Sequence, residues 1–100
     1  MKTMLLQFKN IGESLGTRVL GAKIRHQVEP MLKGEEIIIF DFEGVRFISH
    51  SFADECFAKL LNKWSINELK QKTTFVNTPP RIKKTIAFTF KEHIVQQSKA

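Results

Sequence analysis

The stretch "EEIIIFDF", Glu35 to Phe42, limits what this chain can fold into more than any other segment. β-branched and aromatic residues favour an extended backbone, and apolar side chains on both faces suit a central strand covered by helices on at least one side. Such a segment belongs in the middle of a sheet with helices packed over it. The flanking sequence supplies those helices. From Ser14 to Glu29, Leu20, Ile24 and Val28 recur every fourth residue while Arg18, Lys23, Arg25 and Gln27 lie off that stripe, which predicts an amphipathic helix stopped by Pro30 and Gly34. Beyond the strand, Phe52, Cys56, Phe57, Leu60, Leu61 and Trp64 form a second apolar stripe at helical spacing. Ser51 stands just before that stripe and reads as its cap, with Asp54, three residues on, as the reciprocating acid of a capping box.

Two further strands complete the pattern. "TMLLQF", residues 3–8, is apolar enough for a first strand and ends in the turn material "KNIGESLG"; "KTTFVN", residues 72–77, reads as a third strand. "TPP" then opens a last helix, since proline is tolerated in a first turn. Ile86, Phe88 and Phe90 alternate at strand period, but Ile82, Ile86, Phe90 and Ile94 also recur by four and Pro79-Pro80 give a start signal, so helix is expected there. Strand alternating with helix predicts an α/β fold: one domain over residues 1–100, a mixed or parallel sheet with helices packed against it, and right-handed crossovers. The packing contacts are expected from Leu20/Ile24/Val28, Phe57/Leu60/Leu61 and Ile82/Ile86.

The longest purely apolar run, Ile37 to Phe40, falls far short of the roughly 20 residues of a membrane-spanning helix, so no membrane role is expected. The N-terminus lacks the apolar core of a signal peptide, and the single Cys56 has no internal disulfide partner, which together suit the cytoplasm. Cys56 falls on an apolar stripe and reads as a small buried hydrophobe. Charge is unevenly spread: residues 1–58 hold 7 Lys/Arg against 8 Asp/Glu, whereas residues 59–100 hold 9 against 2. A basic half attracts an acidic partner or nucleic acid, or is the solvated face of amphipathic helices. A nucleic-acid binder using these lysines is the alternative reading of function.

Several chemistries lack their signatures. No phosphate-binding loop or dinucleotide fingerprint occurs, and His26, His50 and His93 are too dispersed, beside a single cysteine, to compose a recognisable metal site, so neither a cofactor nor a metal is expected. Ser49, His50, Ser51, Asp54 and Cys56 include the residue types of nucleophilic catalysis. Neighbours at a helix start diverge, however, and no "GxSxG" elbow surrounds these serines, so the chain is not expected to be an enzyme.

The run "IIIFDFEGVRFISHSFADE" resembles the central motif of STAS domains, the fold of bacterial anti-sigma-factor antagonists. Together with the upstream "GESLGTRVLGAKIR", Gly12 to Arg25, it is closer to a STAS-like subfamily whose pattern resembles "lDF.gV..is.sFaDE". Against the antagonists' motif, Ser49 takes the place of an aspartate, His50 of the first serine, Ser51 of the phosphorylated serine and Phe52 of a glycine. The resemblance implies a non-enzymatic protein-binding module of a regulatory, signalling kind, working with a GHKL-type ATPase or kinase, with Ser51 as the candidate phosphorylation site.

In an open α/β sheet, ligands gather at the carboxyl ends of the strands and the adjoining loops. The partner surface is therefore expected along Gly44 to His50 and the first turn of the following helix, Ser51 to Glu55, through Glu43, Arg46, Ser49, His50, Ser51, Asp54 and Glu55, between buried anchors at Val45, Phe47 and Phe52.

Overall fold

The structure, a computed structural model, describes residues 2–98. Its elements are β1 (Thr3–Gln7), β2 (Ser14–Leu15), α1 (Arg18–Lys33), β3 (Ile37–Asp41), β4 (Phe47–Ile48), α2 (His50–Cys56), α3 (Ile66–Lys72), β5 (Thr73–Val76) and α4 (Pro80–Ser98). Short 3-10 segments lie at Phe8–Asn10 and Ala58–Asn62. The "IIIFD" segment is the middle strand of a three-stranded sheet ordered β1-β3-β5, and both of its pairings are parallel, with Thr3 opposite Ile37 and Asp41 opposite Val76. Of the two sheet types the sequence leaves open, the pairing is thus parallel. A second, two-stranded parallel ladder joins β2 to β4.

Five fully buried phenylalanines, Phe8, Phe40, Phe42, Phe52 and Phe57, fill the centre. Phe8 stacks on Phe42 with ring centroids 4.4 Å apart, and Phe57 meets Phe40 edge to face at 5.2 Å. These offset and tilted contacts are the favoured geometries of aromatic pairs. The expected helix stripes pack as read: Ile24, Val28, Phe57, Leu60, Leu61, Ile82 and Ile86 are buried and Leu20 is partly so. Residues 86–90 are helical, within α4. No helix among the described residues is long and apolar enough to cross a membrane.

Several boundaries differ from the sequence reading. Helix α1 starts later, at Arg18 behind the Thr17 cap, and runs through Pro30 to Lys33 before Gly34 ends it. Proline deletes one backbone hydrogen bond there, but Val28 and Leu32, both fully buried, extend the apolar stripe across it and hold the last turn on the core. The stripe from Phe52 to Trp64 is not one helix. Helix α2 stops at Cys56, a 3-10 segment follows, and α3 begins afresh behind Ser65. Ser65 and Glu68 form a full capping box, each bonding the other's backbone N–H.

Candidate functional site

At the carboxyl end of β3, Asp41 organises the turn. Its Oδ1 accepts from the Glu43 N–H at 3.0 Å and from the Asn77 amide at 3.0 Å. The Glu43 backbone bond, and then the Asn77 bond, hold the Asp41 carboxyl below its ordinary range. Gly44 follows with φ of +83°, a left-handed conformation that glycine adopts without a Cβ penalty. The turn leaves Glu43 and Arg46 exposed and buries Val45. Phe47 is a correction: expected as a buried anchor, it is 48% exposed, because β4 alternates and sends Ile48 inward instead.

The helix cap is Ser49, two residues before the expected Ser51. Helix α2 starts at His50, and the Ser49 hydroxyl accepts from the Phe52 N–H at 2.9 Å. The same hydroxyl donates to the Gly16 carbonyl at 2.9 Å, which ties the start of α2 to the loop before α1. Ser51 therefore lies inside the first turn, half-buried, and its side chain makes no hydrogen bond among the described residues. Asp54 falls outside the capping position as well. Removing a serine cap costs about 1 kcal/mol. Urea denaturation of Ser49→Ala is expected to show that loss, and Ser51→Ala little change.

Asp54 and Glu55 turn toward α1, where the two sequence motifs meet. Asp54 accepts from Arg18 at 2.9 Å, and Glu55, buried, accepts from Arg25 at 3.0 Å and from Lys59 at 2.6 Å. Arg25 also donates to the Glu55 backbone carbonyl at 2.7 Å. Burial pushes the Glu55 carboxyl up, but the Lys59 and Arg25 hydrogen bonds and charges outweigh it and leave the group below its ordinary range. Between these pairs sits Gly21. A Cβ there would lie 2.7 Å from the Phe52 carbonyl oxygen and 2.9 Å from the Glu55 Cβ, so only glycine lets the helices approach this closely. The motif "GESLGTRVLGAKIR" and the acids of "SFADE" thus make a clasp between α1 and α2.

What remains open to solvent is the other side of the β4–α2 corner. His50 is exposed and its Nε2 lies 2.7 Å from Glu92 Oε1 of α4. Its ring meets Phe88 edge to face at 5.1 Å. Phe88 is 52% exposed, and it lines a shallow depression with Phe47, Ile48, Ser49, His50, Lys84 and Thr85. The contribution of α4 to this surface was missed from sequence. A signal existed: Phe88 falls off the Ile82/Ile86/Phe90 stripe on a helix, so it must point away from the core.

The nucleophile-type residues diverge. Ser49 is engaged with Gly16 and Phe52, His50 with Glu92 and Asp54 with Arg18, while burial pushes the Cys56 thiol well above its ordinary range. No nucleophile–base pair forms from them.

A family model described as "STAS-like domain of unknown function (DUF4325)" matches residues 21–83. No curated protein and no solved structure matches the chain. The matched span begins at Gly21, where α1 and α2 approach closely, and takes in β3, the Asp41 turn, α2 and β5. It covers more than half of the sequence, and the chain therefore belongs to this STAS-like family.

Proposed function

We propose that this domain is a non-enzymatic regulatory module that docks on a protein partner through the β4–α2 corner and the facing side of α4. The observation that carries this reading is the pair of exposed rings, Phe47 and Phe88, that share a depression with His50 and Lys84. Large apolar side chains gathered at a surface, with polar groups at the margin, are the usual anchors of protein interfaces. Family resemblance makes a GHKL-type ATPase or kinase the first partner to test.

Ser51 is the candidate switch within this surface. Its hydroxyl is not committed to the helix cap, so a phosphate would not have to break the fold to form. The added charge of about −2 would be stabilised by the helix N-terminus but would meet Asp54 nearby, and a partner surface matched to a neutral hydroxyl would be repelled. Calorimetric titration against the copurified partner is expected to show binding weakened at least about tenfold by Ser51→Asp, with an unchanged melting curve. Undiminished affinity, together with steep weakening by salt and loss on removal of the C-terminal lysines, would reject the site and favour nucleic acid or another acidic partner.

A further inference from the structure

A separate groove of about 370 Å³ opens between α3, β5 and α4, a volume within the range of small-molecule sites. Its walls are apolar. Ile66 and Leu69 come from α3, Ile86 and Phe90 from α4, and Phe75 forms the floor. The Phe75 ring packs on Phe40 at 5.1 Å and on Phe57 at 5.4 Å, so the groove is the aromatic core continued to the surface.

Two cations stand on the walls, Lys70 from α3 and Lys83 from α4. Neither has an ion-pair partner among the described residues, as is true of most of the chain's exposed lysines. Among the described residues of this half, both side-chain carboxylates are already engaged. Residues 59–100 contain only Glu68 and Glu92, the first held in the Ser65 capping box and the second by His50. The hydroxyls of Thr73 and Thr78 already donate to the Leu69 and Val76 carbonyls, which leaves exposed Thr74 as the groove's available hydroxyl donor.

We propose that this groove binds an aliphatic carboxylate of medium chain length, its tail on Phe75, Phe90 and Ile66 and its carboxylate between Lys70 and Lys83. Apolar walls give such a site its affinity, and the few polar groups orient the ligand and select its charge. The proposal is independent of the partner-binding surface.

Titration of the full chain with decanoate, followed by amide NMR below the micelle concentration, is the test. Saturable shifts are expected on residues 66–75 and 83–90. Decanol should bind about tenfold more weakly and decylammonium more weakly still. The double variant Lys70→Gln, Lys83→Gln should lose about tenfold in decanoate affinity while keeping its melting temperature and its decanol affinity. Absence of saturable binding, equal binding of decylammonium, or shifts confined to other surfaces would overturn the proposal. So would sedimentation with phosphatidylglycerol vesicles without any decanoate binding, which would assign the two lysines to a membrane surface instead.

Discussion

Gly21→Val is expected to lower the unfolding free energy by about 3 kcal/mol or more, which for a domain of this length corresponds to a fall in melting temperature of at least about 12 °C. A Cβ at this position would stand 2.7 Å from the Phe52 carbonyl, a backbone atom inside α2 that cannot rotate away. Relief requires the two helices to part, and that lengthens the Arg18–Asp54 and Arg25–Glu55 pairs while opening space beside the buried Ile24 and Phe52. Gly21→Ala separates the contributions. Alanine gains about 1 kcal/mol of helix propensity over glycine, so any net loss measures the contact itself. A melting curve for Gly21→Val within a few degrees of the wild type would show that the close approach is not needed.

The second large effect is expected at Glu55. Loss of one partner from a buried ion pair leaves an uncompensated charge, at a cost of about 3 kcal/mol, and Glu55→Ala would strand Arg25 in this way. The same pair makes stability depend on pH. The folded-state pKa of Glu55 is depressed below the ordinary 4.5, so the unfolded chain binds the proton first as pH falls. Its contribution is fully present above about 4.5 and is lost as pH drops through the folded value. Asp41 and Glu68, also depressed, act in the same direction. Melting temperatures recorded from pH 6 to pH 3 should therefore fall, and Glu55→Gln should start lower and fall less steeply. Equal slopes for the two proteins would contradict the ion-pair account.

The central strand was legible in sequence because its signal is local: four consecutive β-branched and aromatic residues, Ile37 to Phe40, specify their own conformation and their own need for cover. The last helix was legible for a similar reason, as Pro80 marks its start and Ile82 and Ile86 its buried face. The break after Cys56 was not. An apolar stripe persists through the 3-10 segment because Leu60 and Leu61 still face the core, and periodicity alone does not register a change of helical pitch. Ser65 and Glu68 did carry the signature of a fresh start, and a search for capping boxes along the stripe would have found it.

The site divides along the same line. Asp54 and Glu55 looked available because charge at a helix start suggests exposure, yet their partners, Arg18 and Arg25, lie some thirty residues upstream and only the fold brings them together. Ser49 and Ser51 compete for one cap within three residues. The backbone decides between them, since Ser49 N–H is tied to the Leu15 carbonyl by the β2–β4 ladder and the helix can begin only after it.

If the β4–α2 corner and α4 form the docking surface, binding must protect it. Hydrogen exchange of the chain, alone and in complex with the protein that copurifies with it, measures this directly. Added protection is expected over residues 44–52 and 84–92, around Phe47, His50 and Phe88, with the Gly21 segment of α1 already protected in the free chain and unchanged. Protection confined to the lysines and backbone of residues 59–72, with the Phe47–Phe88 surface exchanging as in the free chain, would contradict it.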